Sequence, residues 1–500
     1  MAKPSYTCFN GLQIACVVAL PFAAPAQAQT DNAPDTRLRL DQQLDRQRAG
    51  REARAIEDAQ ALDGDTSSLT IDGQSYSVGN SVDDIGRALY LSVVRKQWPD
   101  VRRFLAAYRK LDGHDPMLVE YALGAIAREK GDLAAAERHY RALLAIKADF
   151  LPGRLELART LFDNRKDREA ERAFHSARDQ LANDGPQAEG VTRTVDAYLA
   201  ALKRRRSWQG SFAIGPGYSS NLNQSSASYT CLLAADDGTC VIDRQVPDAI
   251  GAMGVNFEGT LARDIPLGGH NGLRARAILF GDVYPEHHAY SQATLIARLG
   301  YQYQTARNAI SLSPSYEIGS LGSSVLYEAP GVNAEWSHTV SPRALLRLEG
   351  NYRDFRYREV AFRPQNGPLT DINLTAWYSV SPSWTLFGGP DVVVKDTPGR
   401  VDAYRQWGGR LGLSKAFGDT ASIFLMGSYR YRRHRKYSEL FEAQRKDQQL
   451  NLIAIARLPV LRLGPLVPEI VVQHNRIKSN IDWLYSYKRT TASVRLSFAF

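Results

Sequence analysis

The sequence predicts two units of different class: a short array of tetratricopeptide-like, all-α helical repeats, then a C-terminal 14-stranded antiparallel transmembrane β-barrel. Three observations carry this. Small and aromatic residues between positions 123 and 174 recur at a 34-residue offset. From Trp208 onward the apolar period drops to two across fourteen segments. Composition shifts at the same point. Residues 1–207 carry 31 Lys+Arg and 29 Asp+Glu against 31 and 24 over residues 208–500, while 17 of the 24 Tyr and six of the seven Trp follow Lys203. A Tyr- and Trp-rich half with fewer charges suits a different solvent. No run of about 20 apolar residues follows the N-terminus, which excludes a helical membrane protein. A mean hydropathy of −0.34 does not exclude a barrel, because alternating strands keep the average low.

The first 28 residues read as a signal peptide: Lys3 is the lone positive charge, Gly11 to Phe22 is apolar, and Ala26-Gln27-Ala28 offers a small-residue cleavage site. Its removal takes Cys8 and Cys16 and leaves Cys231 and Cys240, nine apart. In an exported chain these two are the candidate local disulfide. Two thiols without a nearby His pair are too few for zinc, and no metal or cofactor site is expected.

Residues 29–68 are rich in Arg, Asp, Gln and Ala and predict a charged, flexible arm or solvated helix. Residues 69–206 predict the helical domain. Leu69 to Val78 reads as a small hairpin around Asp72-Gly73. Beyond Val82, Leu123-Gly124 returns as Leu157-Ala158, Ala136 as Ala170 and Tyr140 as Phe174. Small residues let paired helices approach, aromatic ones fill the gap between pairs, and Gly131-Asp132 makes a turn. An earlier unit, Asp84 to Pro116, keeps His114-Asp115-Pro116 but is irregular. The alternative is a plain helical bundle. His114, His139 and His175 are scattered and suit solvated faces better than ligands.

Residues 207–500 predict the barrel. Strands are expected near 208–218, 250–264, 271–284, 291–305, 309–319, 327–340, 344–357, 370–380, 384–395, 404–417, 421–432, 446–458, 466–476 and 487–500. Leu295, Ala297, Leu299, Tyr301 and Tyr303 oppose Arg298, Gly300, Gln302 and Gln304; Leu346 and Leu348 oppose Arg347 and Glu349. Charges at alternate positions belong in a wet lumen and the apolar set in lipid. Connections after the second, fourth, sixth, eighth and tenth segments are short, and those after the first, seventh and eleventh are long. That asymmetry puts the short turns and both domain ends in the periplasm, with the Cys231/Cys240 loop outside. The final run from Val494 alternates strictly and ends on Phe498 and Phe500, a signal suited to barrel-assembly machinery. A barrel this wide needs an open channel or an inward-folded loop.

Arg432, Arg433, Arg435 and Lys436 form a candidate extracellular basic rim suited first to lipopolysaccharide and outer-membrane lipid phosphates, with an acidic client or polymer as the alternative. Nucleic acid is not an expected partner of an exported chain. No catalytic grouping recurs at a useful spacing, so an enzyme is not expected. Glu317, Glu335 and Glu349 share lumen parity and read as pore lining.

The stretch Leu69 to Val78, with Asp83-Asp84-Ile85-Gly86-Arg87-Ala88-Leu89-Tyr90, Trp98 to Arg103 and Gly113-His114-Asp115-Pro116-Met117, followed by a barrel ending in Phe, resembles the surface lipoprotein assembly modulator (Slam) family of type XI secretion translocons. The resemblance covers about residues 69–500, the barrel by architecture more than by motif. It implies an outer-membrane protein that moves lipoproteins, or soluble proteins such as haem scavengers, from periplasm to surface without hydrolysis. The helical domain would receive the client. The motif assigns no contact residues; Tyr121, Tyr140 and Phe174 are candidate contacts, with packing between repeats the preferred reading of Tyr140 and Phe174. The alternatives are an exopolysaccharide-export porin with a helical-repeat domain and a passive solute porin, for which the helical domain would be superfluous.

Overall fold

Small residues facing large aromatic ones set the spacing of the helical array. In the computed structural model, which describes residues 34–48, 80–182 and 188–500, antiparallel pairs form from α2 (Val82–Val94) and α3 (Trp98–Tyr108), α4 (Pro116–Glu129) and α5 (Leu133–Ile146), and α6 (Leu151–Asp163) and α7 (Asp167–Leu181). A Cβ placed on Gly124 would lie 2.7 Å from the Tyr140 ring, so only glycine admits that side chain. Thirty-four residues on, Ala158 and Phe174 repeat the arrangement, both fully buried. The first pair packs through different positions, Gly86 against Tyr108, which explains its irregular sequence. Side-chain oxygens of Ser81, Asp115 and Asp132 accept hydrogen bonds from Asp84 N, Met117 N and Ala135 N and fix three helix starts. Gly131 turns the chain at φ +76°.

The array's final helix, α8 (Glu189–Arg206), runs to the barrel. Arg205 locks it to the array: its guanidinium lies 3.7 Å from the Phe162 ring centroid and donates to Asp167 Oδ1 at 2.6 Å.

Each of the fourteen expected segments overlaps a barrel strand. These are β1 (Gln209–Ser219), β4 (Ala252–Gly268), β5 (Asn271–Val283), β6 (Gln292–Gln304) and β7 (Asn308–Leu321). Then come β8 (Ser324–Ser341), β9 (Ala344–Tyr357), β10 (Gly367–Ser381), β11 (Trp384–Lys395) and β12 (Tyr404–Phe417). The last are β13 (Ala421–His434), β14 (Lys446–Arg457), β15 (Val467–Ser479) and β16 (Tyr487–Ala499). Neighbours pair antiparallel in chain order, and β1 closes on β16. At the seam Gly210 and Phe500 exchange both backbone hydrogen bonds at 3.0 Å. Closure removes every sheet edge, as lipid demands. The separate hairpin β2 (Tyr229–Ala234) and β3 (Cys240–Gln245) lies within the long loop after β1 and was not expected; its pairing has two irregularities and no barrel neighbour.

The array sits at the short-turn end. Arg168 donates to Leu267 O at 2.7 Å, Gly269 N donates to Glu169 Oε1 at 2.8 Å, and Arg263 Nε donates to Arg206 O at 3.1 Å.

The expected signal peptide and the hairpin at 69–78 lie outside the described residues. The expected flexible arm over 29–68 is corrected where it is described: residues 34–48 form a helix, α1, buried inside the barrel. A charge-rich helix tolerates burial only where each charge meets a partner, and the barrel wall supplies them.

Candidate functional site in the barrel lumen

Period-two alternation builds the lumen. Along β6, Leu295, Leu299 and Tyr301 are exposed on the lipid side while Thr294, Arg298 and Gln302 are buried inside. Strands about 4.8 Å apart and tilted about 40° give fourteen strands a backbone diameter of about 28 Å. Inward side chains reduce this to a bore of roughly 16 Å, enough for one helix about 10–12 Å across. α1 takes that space and leaves a crevice beside it, lined by Thr36, Arg39, Gly217, Asn256, Ser493 and Arg495.

The contacts of α1 with the wall are mainly ionic. Asp35 accepts from Arg430 Nη2 at 2.6 Å, from Asn451 Nδ2 at 2.7 Å and from Ser428 Oγ at 2.7 Å. Arg37 meets Asp371 at 3.2 Å, and Arg39 meets Glu258. Farther along, Arg276 bridges Asp41 at 2.7 Å and Asp45 at 2.8 Å, and Arg347 meets Asp45 at 2.7 Å. Arg48 reaches Asp264 at 2.5 Å, close to the array. Two contacts are of another kind. Leu40 packs on Ile278 and Ile296, and Arg46 lies 5.2 Å from the Phe387 centroid and 5.8 Å from that of Phe424. Phe424 and Met426, apolar residues on the lumen face of β13, thus face inward onto an apolar patch with Phe387, Ile453 and Ile455.

On the side opposite the array, Tyr327, Phe355, Tyr357, Leu369 and Val393 form a buried cluster. Phe362, from the loop between β9 and β10, is buried against them. This loop and α1 together account for the expected lumen filling. The hairpin of β2 and β3 does not: it is largely exposed.

The residues proposed from sequence fare differently. Cys231 and Cys240 form a disulfide with Cα atoms 5.7 Å apart. Tyr121, Tyr140 and Phe174 are 6%, 0% and 1% exposed, which corrects their candidacy as client contacts and agrees with the packing reading of Tyr140 and Phe174. Tyr121 packs on Tyr90, Tyr140 and Phe150, and Phe174 stacks on Tyr198 at 4.8 Å. Their rings fill the space between repeats, as the 34-residue spacing predicts for Tyr140 and Phe174.

The basic rim is corrected in part. β13 continues two residues past its expected end, so Arg432 faces inward, 5% exposed, donating to Gln406 Oε1 at 2.9 Å and lying over Tyr404. Arg433, Arg435 and Lys436 are exposed. Phe498 and Phe500 stack at 5.7 Å on the outer wall. Glu317, Glu335 and Glu349 are buried lumen residues, with Glu317 held by Arg353 at 2.9 Å and by the Tyr327 hydroxyl at 2.9 Å. Sequence reading missed the lumen face of α1. Its available signal was Pro34 opening a run in which Leu40 and Leu44 recur at helical spacing among alternating Asp and Arg.

Outside the membrane-spanning part, Glu156 is the best-defined titratable group. Burial raises its carboxyl, but the charges of Arg128 at 2.6 Å and Arg159 at 2.9 Å outweigh this and hold it below the usual carboxylate range. Among the described residues no group of three or more His, Cys, Asp or Glu could hold a metal ion.

A closed barrel with an internal charged helix and a docked helical-repeat domain defines a class of outer-membrane protein. The profile of the surface lipoprotein assembly modifier matches residues 208–500, and that of its N-terminal TPR repeats matches residues 72–174. The chain belongs to the surface lipoprotein assembly modifier family. It is 36% identical over 481 residues to a hemophilin secretion modulator of Acinetobacter baumannii, spanning 93% of this chain and 96% of the relative. It is 25% identical to surface lipoprotein assembly modifier 1 of Haemophilus influenzae, spanning 84% and 85%. The surface lipoprotein assembly modifier 1 of Neisseria meningitidis is 23% identical, spanning 86% of each chain.

Proposed function

We propose that this chain is an outer-membrane translocon that delivers a specific client protein from the periplasm to the cell surface. The helical array faces the periplasm, receives the client and hands it to the barrel. One observation carries this reading: the array is docked on the short-turn end of a closed barrel, beside the lumen mouth, through Arg168, Glu169 and Arg206. Short turns mark the periplasmic side in outer-membrane barrels. Family membership and the relatives' names support protein cargo over polysaccharide or free solute. Because the 36% relative is named for hemophilin secretion, a secreted hemophilin-like protein is the first client to test, and a surface lipoprotein the second. In this reading the chain performs no covalent chemistry. Phe500 directs barrel assembly, and Arg433, Arg435 and Lys436 meet lipopolysaccharide phosphates.

The test is deletion of the chain in a strain producing the client encoded beside it. Client at the surface or in the medium should fall about tenfold or more, while total client persists. Unchanged delivery, with barrel production confirmed in the parent, refutes the proposal.

A further inference from the structure

The wall charges that hold α1 have partners in reserve. Asp371 also pairs with Arg353 at 2.7 Å, Glu258 with Arg495 at 3.0 Å, and Asp264 with Arg274 at 3.0 Å. Likewise Arg430 pairs with Asp391 at 2.7 Å, Arg347 with Glu335 at 3.5 Å, and Arg298, which meets Asp41 of α1 at 3.4 Å, with Glu349 at 3.7 Å. Arg276 differs, since both of its ion pairs among the described residues reach α1. A wall so arranged keeps every one of these charges but Arg276 compensated when the helix leaves. Removing one partner of a buried pair is costly chiefly because the other charge is left uncompensated, and here that cost falls on Arg276 alone among them. Apolar anchoring opposes departure through three buried leucines, Leu38, Leu40 and Leu44, of which Leu40 packs on Ile278 and Ile296; the ion pairs outnumber them. The groups released on both sides are those water solvates best.

We propose that the lumen is a binding passage for polypeptide and that α1 is its resident, exchangeable occupant. A client segment carrying both Asp/Glu and Arg/Lys takes the place of α1, pairing with the same wall groups: Arg276, Arg298, Arg347 and Arg430 for its acids, and Glu258, Asp264 and Asp371 for its bases. The exchange starts at the array end, where Arg48 and Asp264 lie beside Arg204, Arg206 and Arg274 in one open cavity. This inference rests on the translocon reading and adds the route and the chemistry of the cargo.

The experiment uses the full chain with Leu40→Cys and Ile278→Cys joined by a short reducible bis-thiol linker, with Cys231–Cys240 left intact. A second variant, Asp35→Asn/Asp41→Asn/Asp45→Asn, loosens the helix without a linker. In planar bilayers with potassium chloride as the probe, the parent and the linked chain should stay closed, and the triple variant should show open-channel events at least tenfold more often. In cells, linking should cut client delivery about tenfold, and reduction should restore it. Full delivery by the linked chain overturns the exchange while leaving the translocon reading standing. A triple variant as closed as the parent overturns α1 as the releasable occupant. Failure of the unlinked parent to deliver the client defeats the translocon reading, and the exchange with it.

Discussion

Tyr140 separates packing from client binding. Its ring fills the hollow over Gly124 and is fully buried, and its hydroxyl finds no hydrogen-bond partner among the described residues. Burial accordingly pushes that hydroxyl well above the usual tyrosine range. Tyr140→Phe removes an unsatisfied polar group and keeps the ring, so it should leave the array unchanged or stabilise it by about 1 kcal/mol. For a domain of about 100 residues, that is a rise of about 4–8 °C in melting temperature. Tyr140→Ala empties the site and should cost about 3–5 kcal/mol, a fall of about 15 °C or more. The assay is the melting of helical circular dichroism in the full chain, alongside client delivery. Phe should deliver as the parent does, and Ala should fail only as far as the array unfolds. A Phe variant that melts normally but no longer delivers, or an Ala variant that keeps its melting temperature and loses delivery, would refute the packing argument and restore Tyr140 as a contact.

Three further outcomes follow from the same geometry. The depressed carboxyl of Glu156 contributes stability that is present above the unfolded value of about 4.3 and lost as pH falls through its lower folded value. Glu156→Gln should therefore lower the array's melting temperature at pH 7 and flatten its decline between pH 5 and 3; parallel pH profiles would count against the Arg128–Glu156–Arg159 cluster. Arg495→Ala removes a guanidinium 3.0 Å from Glu258 and 2.6 Å from Glu469, which keep Arg39 and Arg457 as partners, so the loss should be about 1.5–3 kcal/mol. The folded barrel band on unheated gels should then convert at a lower temperature, and an unaltered conversion contradicts the assignment. Replacing Cys231 and Cys240 by Ser should loosen their hairpin by about 2–3 kcal/mol. Proteolysis around Asp236–Gly238 should quicken while the barrel band is untouched, because β2 and β3 pair only with each other.

Lipid outside and water inside impose opposite preferences on successive residues, so the fourteen strands are legible one segment at a time. The 34-residue repeat is legible for a similar reason, since Gly124 with Tyr140 and Ala158 with Phe174 answer one local packing problem twice. The first helical pair solves it through Gly86 and Tyr108 and so escapes the repeat. Tyr121, Tyr140 and Phe174 were visible as large residues, but whether an aromatic side chain faces a neighbouring helix or a client depends on the helix stacked against it. Arg432 turned inward because β13 runs to His434, and the side a residue faces follows from where the pairing stops.

By itself, then, the amino-acid order determined the two classes of unit, the strand faces and the local packing of the repeats, all of which follow from spacing along the chain. Only the tertiary structure decided that residues 34–48 fill the barrel. A run such as Asp35, Arg37, Arg39, Asp41, Asp45 and Arg48 reads as a solvated helix, because the groups that compensate it stand as far away as Arg430 and Asp371. Closing the sheet brought those charges within about 3 Å, and proximity made burial of a charged helix affordable.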